Sequence, residues 1–331
     1  MQFSQFVGVD ISKNTLDAAI YPAKDKKNDF LHFENTQSGL REMMVWLKSR
    51  GVKASELVVC AEHTGVYSNP LIQFTHRKGI ALSLNSPLEI KYSMGIARGK
   101  SDVVDAARIA EYAYTHKEKL RLYKMPSRAI IQLQHLLTER RQYMRQRTAM
   151  LNFHKALGKY ETTPARARNE SAINHVDKLA AKVEAQMQSI ITDNPDIKRN
   201  FDLVSSVKGI GLINAVNTIV YTNNFNAFDS PRRYASFIGV APYDHSSGIS
   251  VRGKTQVSKI CRTLQKADLS MAARSAIQND PGLRHYYHRK MKEKGGGKDA
   301  HGIVLNAVKF KLILRMFAVV KSGQPYKVLN Y

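Results

Sequence analysis

The spacing of apolar residues changes near residue 126 of this chain, and that change restricts the folds it can adopt. Up to that point, short strand-like runs alternate with helical segments. The predicted strands are Phe6–Val9, Thr15–Tyr21, Leu31–Glu34, Leu57–Cys60 and Ala81–Leu84, and the predicted helices are Gly39–Leu47, Tyr67–His76 and Ser101–Tyr114. Three early strands followed by helix–strand alternation are typical of a mixed sheet with helices on its faces. We therefore predict an α/β domain over residues 1–125.

From about residue 127 the apolar residues recur at helical spacing, and Pro164 and Asn169 are predicted to separate two long helices, the second over Ala172–Ile191. Long amphipathic helices with few aromatic residues fit a coiled-coil arm that pairs two subunits. They fit equally well two ordinary helices packed on a neighbouring domain. We predict a helical or coiled-coil middle region over residues 126–198, with both alternatives open.

The last third, residues 199–331, is predicted to be a mostly α-helical C-terminal domain. Val207–Gly211 resembles the turn of a helix-hairpin-helix element, whose backbone amides can bind a phosphate, and it also fits a plain tight turn. Phe237–Pro242 is followed by a predicted polar loop and a helix over Ser258–Ser275. The basic segment Arg284–Lys298 fits either a mobile arm on nucleic acid or a disordered linker.

The chain is strongly basic, with 51 lysines and arginines against 27 acidic residues and a formal net charge of +24. Such an excess favours a polyanionic partner, because each neutralised phosphate releases counterions. Its two cysteines, Cys60 and Cys261, are isolated and form no zinc-type spacing. No apolar run is long enough to span a membrane, and the N-terminus does not have the order of a signal peptide. We therefore expect a reduced, cytoplasmic protein without a membrane partner.

Four acidic residues stand at positions where folding can bring them together. Asp10 and Glu62 each follow an apolar strand, and Asp102 and Asp105 lie three residues apart at the start of a predicted helix, hence on one face. Converging carboxylates repel one another unless a cation binds. Hard oxygen ligands select Mg²⁺ or Mn²⁺, and such ions assist phosphoryl transfer. This pattern predicts a metal site that acts on phosphodiesters.

Each acid also has an ordinary structural interpretation. Asp102 and Asp105 could stabilise the first turn of a helix, and Glu62 could be a loop residue. The segment from Gly8 to Asp17 also resembles the first phosphate loop of actin-like ATPases, although no second phosphate loop is found. Taken together, in a chain of this charge, the four acids favour a metal nuclease.

Several motifs extend this interpretation to a known family. Gly8–Lys13, Ala61–Tyr67 and Lys100–Ala106 resemble the DEDD signature of Piv/MooV-type transposases, the insertion sequence (IS) 110 family. Phe237–Pro242 and Ser247–Gly253 resemble the second motif of the same family, so the resemblance covers nearly the whole chain. It implies a first domain like the RuvC resolvase, with an RNase H-like fold, and a C-terminal transposase domain.

The resemblance also implies roles for individual residues. Asp10, Glu62, Asp102 and Asp105 would be catalytic metal ligands, and Ser247 would be the nucleophile that holds DNA covalently. Because a serine hydroxyl is a poor nucleophile unless it is activated, the metal cluster would have to assist it. Arg252 would steady phosphate charge as a planar bidentate donor. Ser246 and Ser250 lie nearby, and Ser247 is preferred because it directly precedes a glycine.

The partners implied by the resemblance are donor and target DNA and a noncoding guide RNA, the bridge RNA, that pairs with both. The family also implies a homo-oligomer in which dimers assemble to a tetramer, in the prokaryotic cytoplasm with the nucleoid. Basic side chains predicted to contact nucleic acid are Arg140, Arg141, Arg145, Arg147, Lys208, Arg252, Arg289 and Lys290.

Two alternatives of different class remain. A RuvC-like junction nuclease would cut with activated water and would need no serine. A non-catalytic nucleic-acid-binding protein would retain the charge but not the chemistry, and the presence of all four acids argues against it.

Overall fold

The chain folds into two compact units, Met1–Met125 and Pro126–Tyr331. The structure is a computed structural model that describes residues 3–23, 25, 29–93, 102–158, 163–247, 251–258, 261 and 263–328. The side chains of residues 163, 244–247, 251–255 and 263 are outside this description. The predicted middle and C-terminal regions belong to one unit.

The first unit is built on a five-stranded mixed sheet. Its elements are β1 (Gln5–Ile11), β2 (Thr15–Ile20), β3 (Phe30–Glu34), α1 (Gln37–Ser49), β4 (Leu57–Glu62), α2 (Asn69–Lys78), β5 (Ala81–Asn85), α3 (Pro87–Ser93) and α4 (Asp102–Thr115). The strand order is β3-β2-β1-β4-β5. Strands β1, β2 and β3 pair antiparallel, whereas β4 pairs parallel to both β1 and β5. This arrangement confirms the predicted mixed sheet.

The two faces of the sheet pack against different helices, because successive side chains of a strand point in opposite directions. Val7 and Val9 of β1 face a large apolar cluster that includes Leu40 of α1 and Leu71 of α2. The alternate residues of β1 face α4, and Phe6 belongs to an apolar cluster with residues of that helix. The α4 face therefore carries the even-numbered positions of β1, the last of which is Asp10.

Gly8 sets the distance between α4 and the sheet. A Cβ atom placed on Gly8 would lie 2.2 Å from the amide nitrogen of Ala110 and 2.3 Å from the carbonyl oxygen of Ala106. Both are backbone atoms, so no side-chain rotation could relieve the clash. Only glycine at this position lets the helix backbone rest on β1.

The second unit is mostly helical, as predicted. Its elements are α5 (Arg128–Leu157), α6 (Thr163–Thr192), α7 (Pro195–Ser205), α8 (Leu212–Tyr221), α9 (Pro231–Phe237), β6 (Pro242–Ser247), β7 (Val251–Val257), α10 (Thr263–Asn279), α11 (Pro281–Glu293) and α12 (Gly297–Ser322). A core cluster joins α7, α8, α9, α10, α11 and α12. Across the described residues, no helix combines the length and apolar character needed to span a bilayer.

Helices α5 and α6 pack along each other as a long hairpin. Buried apolar residues on α6 are spaced alternately three and four apart, the pattern of a coiled-coil seam: Ile173, Val176, Ala180, Val183 and Met187. The base of the hairpin packs against α7 and α8. Pairing of two subunits through this hairpin remains a prediction.

The predicted break between these helices is half right. Pro164 stands in the first turn of α6, where a proline costs no helical hydrogen bond. Asn169, however, lies inside α6, and its side-chain amide donates to the carbonyl of Met150 on α5 at 2.9 Å. The polar side chain therefore joins the two helices instead of separating them.

The mobile arm and the disordered linker expected for Arg284–Lys298 are not found, whereas contact of this segment with nucleic acid stays a prediction. The segment is helical as far as Glu293, in α11, and the following glycines have positive φ angles of 76°, 73° and 82°, the third of them at the first residue of α12. The helix starts at a strong cap, because the buried Asp280 carboxylate accepts from the amide of Leu283 at 2.8 Å. Asp280 also accepts from Arg315 on α12 and from Tyr326, which fixes α11 to its neighbours.

The prediction of a polar loop after Pro242 is also wrong, because β6 and β7 form an antiparallel hairpin there. The β-branched residues Val251, Thr255 and Val257 favour a strand, but the intervening polar side chains hide that signal. The helix predicted over Ser258–Ser275 begins later, at Thr263, and ends at Asn279.

A lysine is buried in the second unit, and none of the ion pairs found among the described residues includes it. Lys309 of α12 is 7% exposed. Burial, together with the positive charges of Lys266 and Arg274 on α10, lowers its pKa to about 8. Its ammonium form therefore opposes folding at neutral pH.

Replacement of Gly8 by alanine is expected to push α4 off the sheet. We expect the free energy of unfolding of the first unit to fall by about 3 kcal/mol, as for severe overpacking. Thermal unfolding of the full chain measures this. Gly302→Ala on α12 is the matched control, because a Cβ there meets open space; equal losses from both substitutions would contradict the role of Gly8.

Lys309→Met is expected to stabilise the chain at pH 7. Because the pKa of Lys309 is about 8 in the folded chain and 10.5 in its ordinary state, the charged lysine destabilises the fold fully below about pH 8. This destabilisation is relieved as the pH rises from about 8 toward 10.5. The wild type should therefore gain stability over that interval, and Lys309→Met should gain less. Lys321→Met, at an exposed position of α12, should keep the wild-type pH profile of thermal unfolding.

Candidate functional site

A row of polar residues crosses the α4 face of the sheet where the apolar core ends. Antiparallel register places Asp10 of β1 opposite Asp17 of β2, and Asp17 opposite His32 of β3. The parallel pairing of β1 with β4 runs to Val9 and Ala61, so Asp10 and Glu62 follow next to each other on the two strands, and Glu62 pairs with Asn85 of β5. Residues paired in register point to the same face, so the five side chains share one side of the sheet.

The remaining two predicted acids lie in the first turn of α4, the helix that packs on this face. Asp102 is exposed and Asp105 is half-buried. Asp105 accepts from Arg108 at 3.1 Å, so one of the four acids has a positively charged partner within its own helix.

The charges of these acids affect one another. Burial raises the pKa of Asp10, and the charges of Asp105, Asp102 and Asp17 raise it further, against the hydrogen bond from the amide of Ile11. Burial likewise raises the pKa of Glu62, with added contributions from Asp10 and Asp105. The folded chain thus brings all four predicted acids into one negative cluster.

The donor chemistry of the cluster suits a hard divalent cation, because carboxylate oxygens are the ligands that Mg²⁺ and Mn²⁺ prefer. Within the part of the chain that the structure describes, no three acidic, histidine or cysteine side chains are already arranged around a common metal position. The fold thus brings the acids close enough to raise the pKa values of Asp10 and Glu62, but among the described residues it does not arrange them around a metal position.

Asp17 and His32 were missed by the sequence analysis. The carboxylate of Asp17 accepts a hydrogen bond from Nδ1 of His32 at 2.8 Å. The available signal was the β1–β2 hairpin: Asp10 and Asp17 lie equally far from the centre of its turn, so antiparallel pairing sets them opposite each other.

Ser247 is the last residue of β6 and pairs with Val251, while Ser246 pairs with Arg252. The expectation that Ser247 lies in a loop is therefore wrong, because strand pairing extends to that residue. The side chains of Ser247 and Arg252, and all of residues 248–250 including Ser250, lie outside the described structure. The roles assigned to these residues remain predictions.

Three of the four arginines predicted on α5 form ion pairs within the chain. Arg140 pairs with Glu184 of α6, and Arg147 donates to Asp177 of α6 at 2.6 Å. Arg141 pairs with Asp268 of α10 at 3.4 Å, and Asn217 of α8 donates to the same carboxylate. These side chains join α5 to its neighbours.

The fourth arginine, Arg145, is exposed, and no ion pair to it occurs among the described residues. Lys208 is also exposed, in the turn between α7 and α8. The next residue, Gly209, has φ +90°, and a Cβ there would lie 2.4 Å from the carbonyl oxygen of Ala272 on α10. A packing requirement therefore explains this glycine, while phosphate binding by the turn remains a prediction.

The basic residues predicted on α11 share one acid. Lys290 forms an ion pair with Glu293, and Arg289 lies 3.7 Å from the same side chain. The guanidinium of Arg289 also lies 5.8 Å from the ring centroid of Tyr286. Contact of these two residues with nucleic acid remains a prediction.

Comparison with known families accounts for both units. Residues 7–160 match the transposase model DEDD_Tnp_IS110, and residues 201–288 match the model described as Transposase IS116/IS110/IS902 family. The first match confirms the RNase H-like fold class predicted for the first unit. The two matches together cover most of the chain.

Individual relatives agree with these families. The pilin gene-inverting proteins of Moraxella bovis and Moraxella lacunata are each 27% identical to this chain over 97% of both sequences. The transposase for insertion sequence element IS1111A of Coxiella burnetii is 25% identical over 51% of this chain and 52% of its own length. Because two models of this family match successive parts of the chain, the chain belongs to the IS110 family of transposases.

Proposed function

We propose that this chain is a metal-dependent DNA recombinase that cuts and rejoins donor and target DNA through a covalent serine intermediate. The observation that carries the proposal is the negative cluster of Asp10, Glu62, Asp102 and Asp105 in a chain of net charge +24. Relatives named for inverting a pilin gene and for transposing an insertion sequence support rearrangement of DNA.

In this proposal the four acids hold Mg²⁺ or Mn²⁺. The bound cation would polarise the phosphodiester and stabilise the charge that develops on its oxygens. The protein supplies a rigid support: Asp10 and Glu62 project from neighbouring strands, and Gly8 lets α4 approach closely enough for Asp105 to affect them. Arg108 restrains the Asp105 carboxylate through their 3.1 Å ion pair.

Ser247 is the proposed nucleophile. Its Oγ bonds to the phosphorus of one strand while the bond from phosphorus to one DNA oxygen breaks. The serine proton leaves for a neighbouring acceptor, and the departing oxygen gains a proton as a free hydroxyl. A hydroxyl of the second strand then attacks the serine phosphodiester and releases Ser247. Each step exchanges one phosphodiester for another, so no external energy source is needed.

Two further elements of the proposal concern partners. A noncoding bridge RNA pairs with both donor and target DNA and selects their sequences, and the protein binds backbones through charge. Arg145 and Lys208 are suited to phosphate contacts because both are exposed. Subunits assemble as dimers and then as a tetramer, with the α5–α6 hairpin as the candidate contact.

Asp10→Asn tests the metal. Ionised Asp10 destabilises the metal-free fold because its folded pKa is raised, so this penalty grows as pH rises through that pKa. In EDTA at pH 7, Asp10→Asn should therefore melt above the wild type by about 2 °C. Added Mg²⁺ should raise the melting temperature of the wild type but not of the variant.

Glu42→Gln is the control for this comparison, because it removes an exposed carboxylate of α1, on the other side of the sheet. It should respond to Mg²⁺ like the wild type. A Mg²⁺-induced rise of equal size in Asp10→Asn would refute the metal assignment.

Ser247→Ala tests the nucleophile and separates recombinase from junction nuclease. Labelled DNA incubated with the wild type, Mg²⁺ and the RNA that flanks the element should yield a covalent adduct on a denaturing gel, and peptide mapping should find the DNA on Ser247. The alanine variant should lose both the adduct and strand exchange.

Ser246→Ala and Ser250→Ala serve as matched controls and should retain the adduct. Cleavage that continues in Ser247→Ala and still requires Asp10 would favour the water-activating nuclease instead.

A further inference from the structure

Asp17 is a buried carboxylate that the four-acid metal set leaves without a role. Its side chain is 9% exposed, and it occupies the α4 face of the sheet directly opposite Asp10. A carboxylate in such a place is costly, because it loses hydration and repels a second negative charge. A nearby cation would offset this cost, since buried charges are commonly paired or bound to metals.

Within the described residues, His32 is the hydrogen-bonding partner of Asp17, at 2.8 Å from its Oδ1. The histidine side chain is 63% exposed and lies on the outer strand of this antiparallel group. It therefore engages Asp17 from the rim of the sheet. The opposite neighbour of Asp17 is Asp10, and the negative charge of Asp17 contributes to the raised pKa of that acid.

We propose that Asp17 is a fifth carboxylate of the acidic cluster, a positioning residue that strengthens divalent-cation binding without entering the four-acid ligand set. Asp10 lies between Asp17 and Glu62 in the row, so Asp17 is one strand farther from the centre of the cluster, about 5 Å away. One of its oxygens is engaged by His32. Its charge acts from that distance, and its free oxygen can accept from a metal-bound water.

His32 has the complementary role in this arrangement. By donating to Asp17 it holds the carboxylate in one orientation, as outer partners of metal ligands commonly do. A simple staple between β2 and β3 would also use this hydrogen bond, but that role would affect only the stability of the metal-free protein. The effect on cation affinity distinguishes the two roles.

The inference rests on the proposed metal site, and a Mg²⁺ titration of the full chain tests both. Melting temperature and binding heat are measured for the wild type, Asp17→Asn, Asp10→Asn and Glu34→Gln. Glu34 is the matched control, an exposed carboxylate two residues beyond His32 on the same strand. Asp17→Asn should raise the half-saturating Mg²⁺ concentration about tenfold, and Glu34→Gln should leave it within about twofold.

Failures of the two proposals are distinguishable. A Mg²⁺ response in the wild type that is lost in Asp10→Asn but unchanged in Asp17→Asn overturns the role of Asp17 alone. No Mg²⁺ response in the wild type overturns both the metal site and this inference.

The histidine supplies a second test that does not depend on how well Asp17→Asn folds. His32→Ala should weaken Mg²⁺ binding by about threefold, and His32→Gln, which keeps a hydrogen-bond donor, should restore it. Identical Mg²⁺ midpoints for the wild type and both variants would show that the pair is only a strand staple.

Discussion

The close approach of α4 to β1 is the constraint on which the acidic cluster depends. Helix backbone rests directly on Gly8, where even a methyl group would overlap two backbone atoms of α4. Through this contact the first turn of the helix, with Asp102 and Asp105, reaches the strand ends that carry Asp10 and Glu62. Because Gly8 has no side chain, the helix packs close to the sheet, and the two together hold the four acids near one another.

Some charged side chains of the chain form ion pairs, whereas others are buried at a cost to stability. Arg140, Arg141 and Arg147 form ion pairs with acids of neighbouring helices and so link parts of the fold, while their contact with nucleic acid stays a prediction. The acids around Asp10 and the buried Lys309 instead carry charge at a cost to stability. At the acids around Asp10 a bound cation could offset this cost, as is typical of functional sites.

Much of the fold and the four acids of the candidate site could be predicted from local patterns. Strand alternation, the late helices and the four acids at strand and helix ends all follow from residue spacing. Asp17 was missed because its importance depends on hairpin register, and β6 and β7 were missed because polar residues mask their β-branched positions. The helix α11 was missed because its many basic residues suggested a linker. The cap that starts it, Asp280, is held in place by Arg315 and Tyr326, which are distant in sequence.

By itself, the sequence determined the order of the elements, the family motifs and the identity of the acids, because propensity and periodicity act over a few residues. Only the tertiary structure decided which side chains meet. The line from His32 through Asp17 and Asp10 to Glu62 joins four strands, and the pairing of Arg147 with Asp177 joins two long helices. Both depend on register and packing between distant segments, which local sequence patterns do not specify.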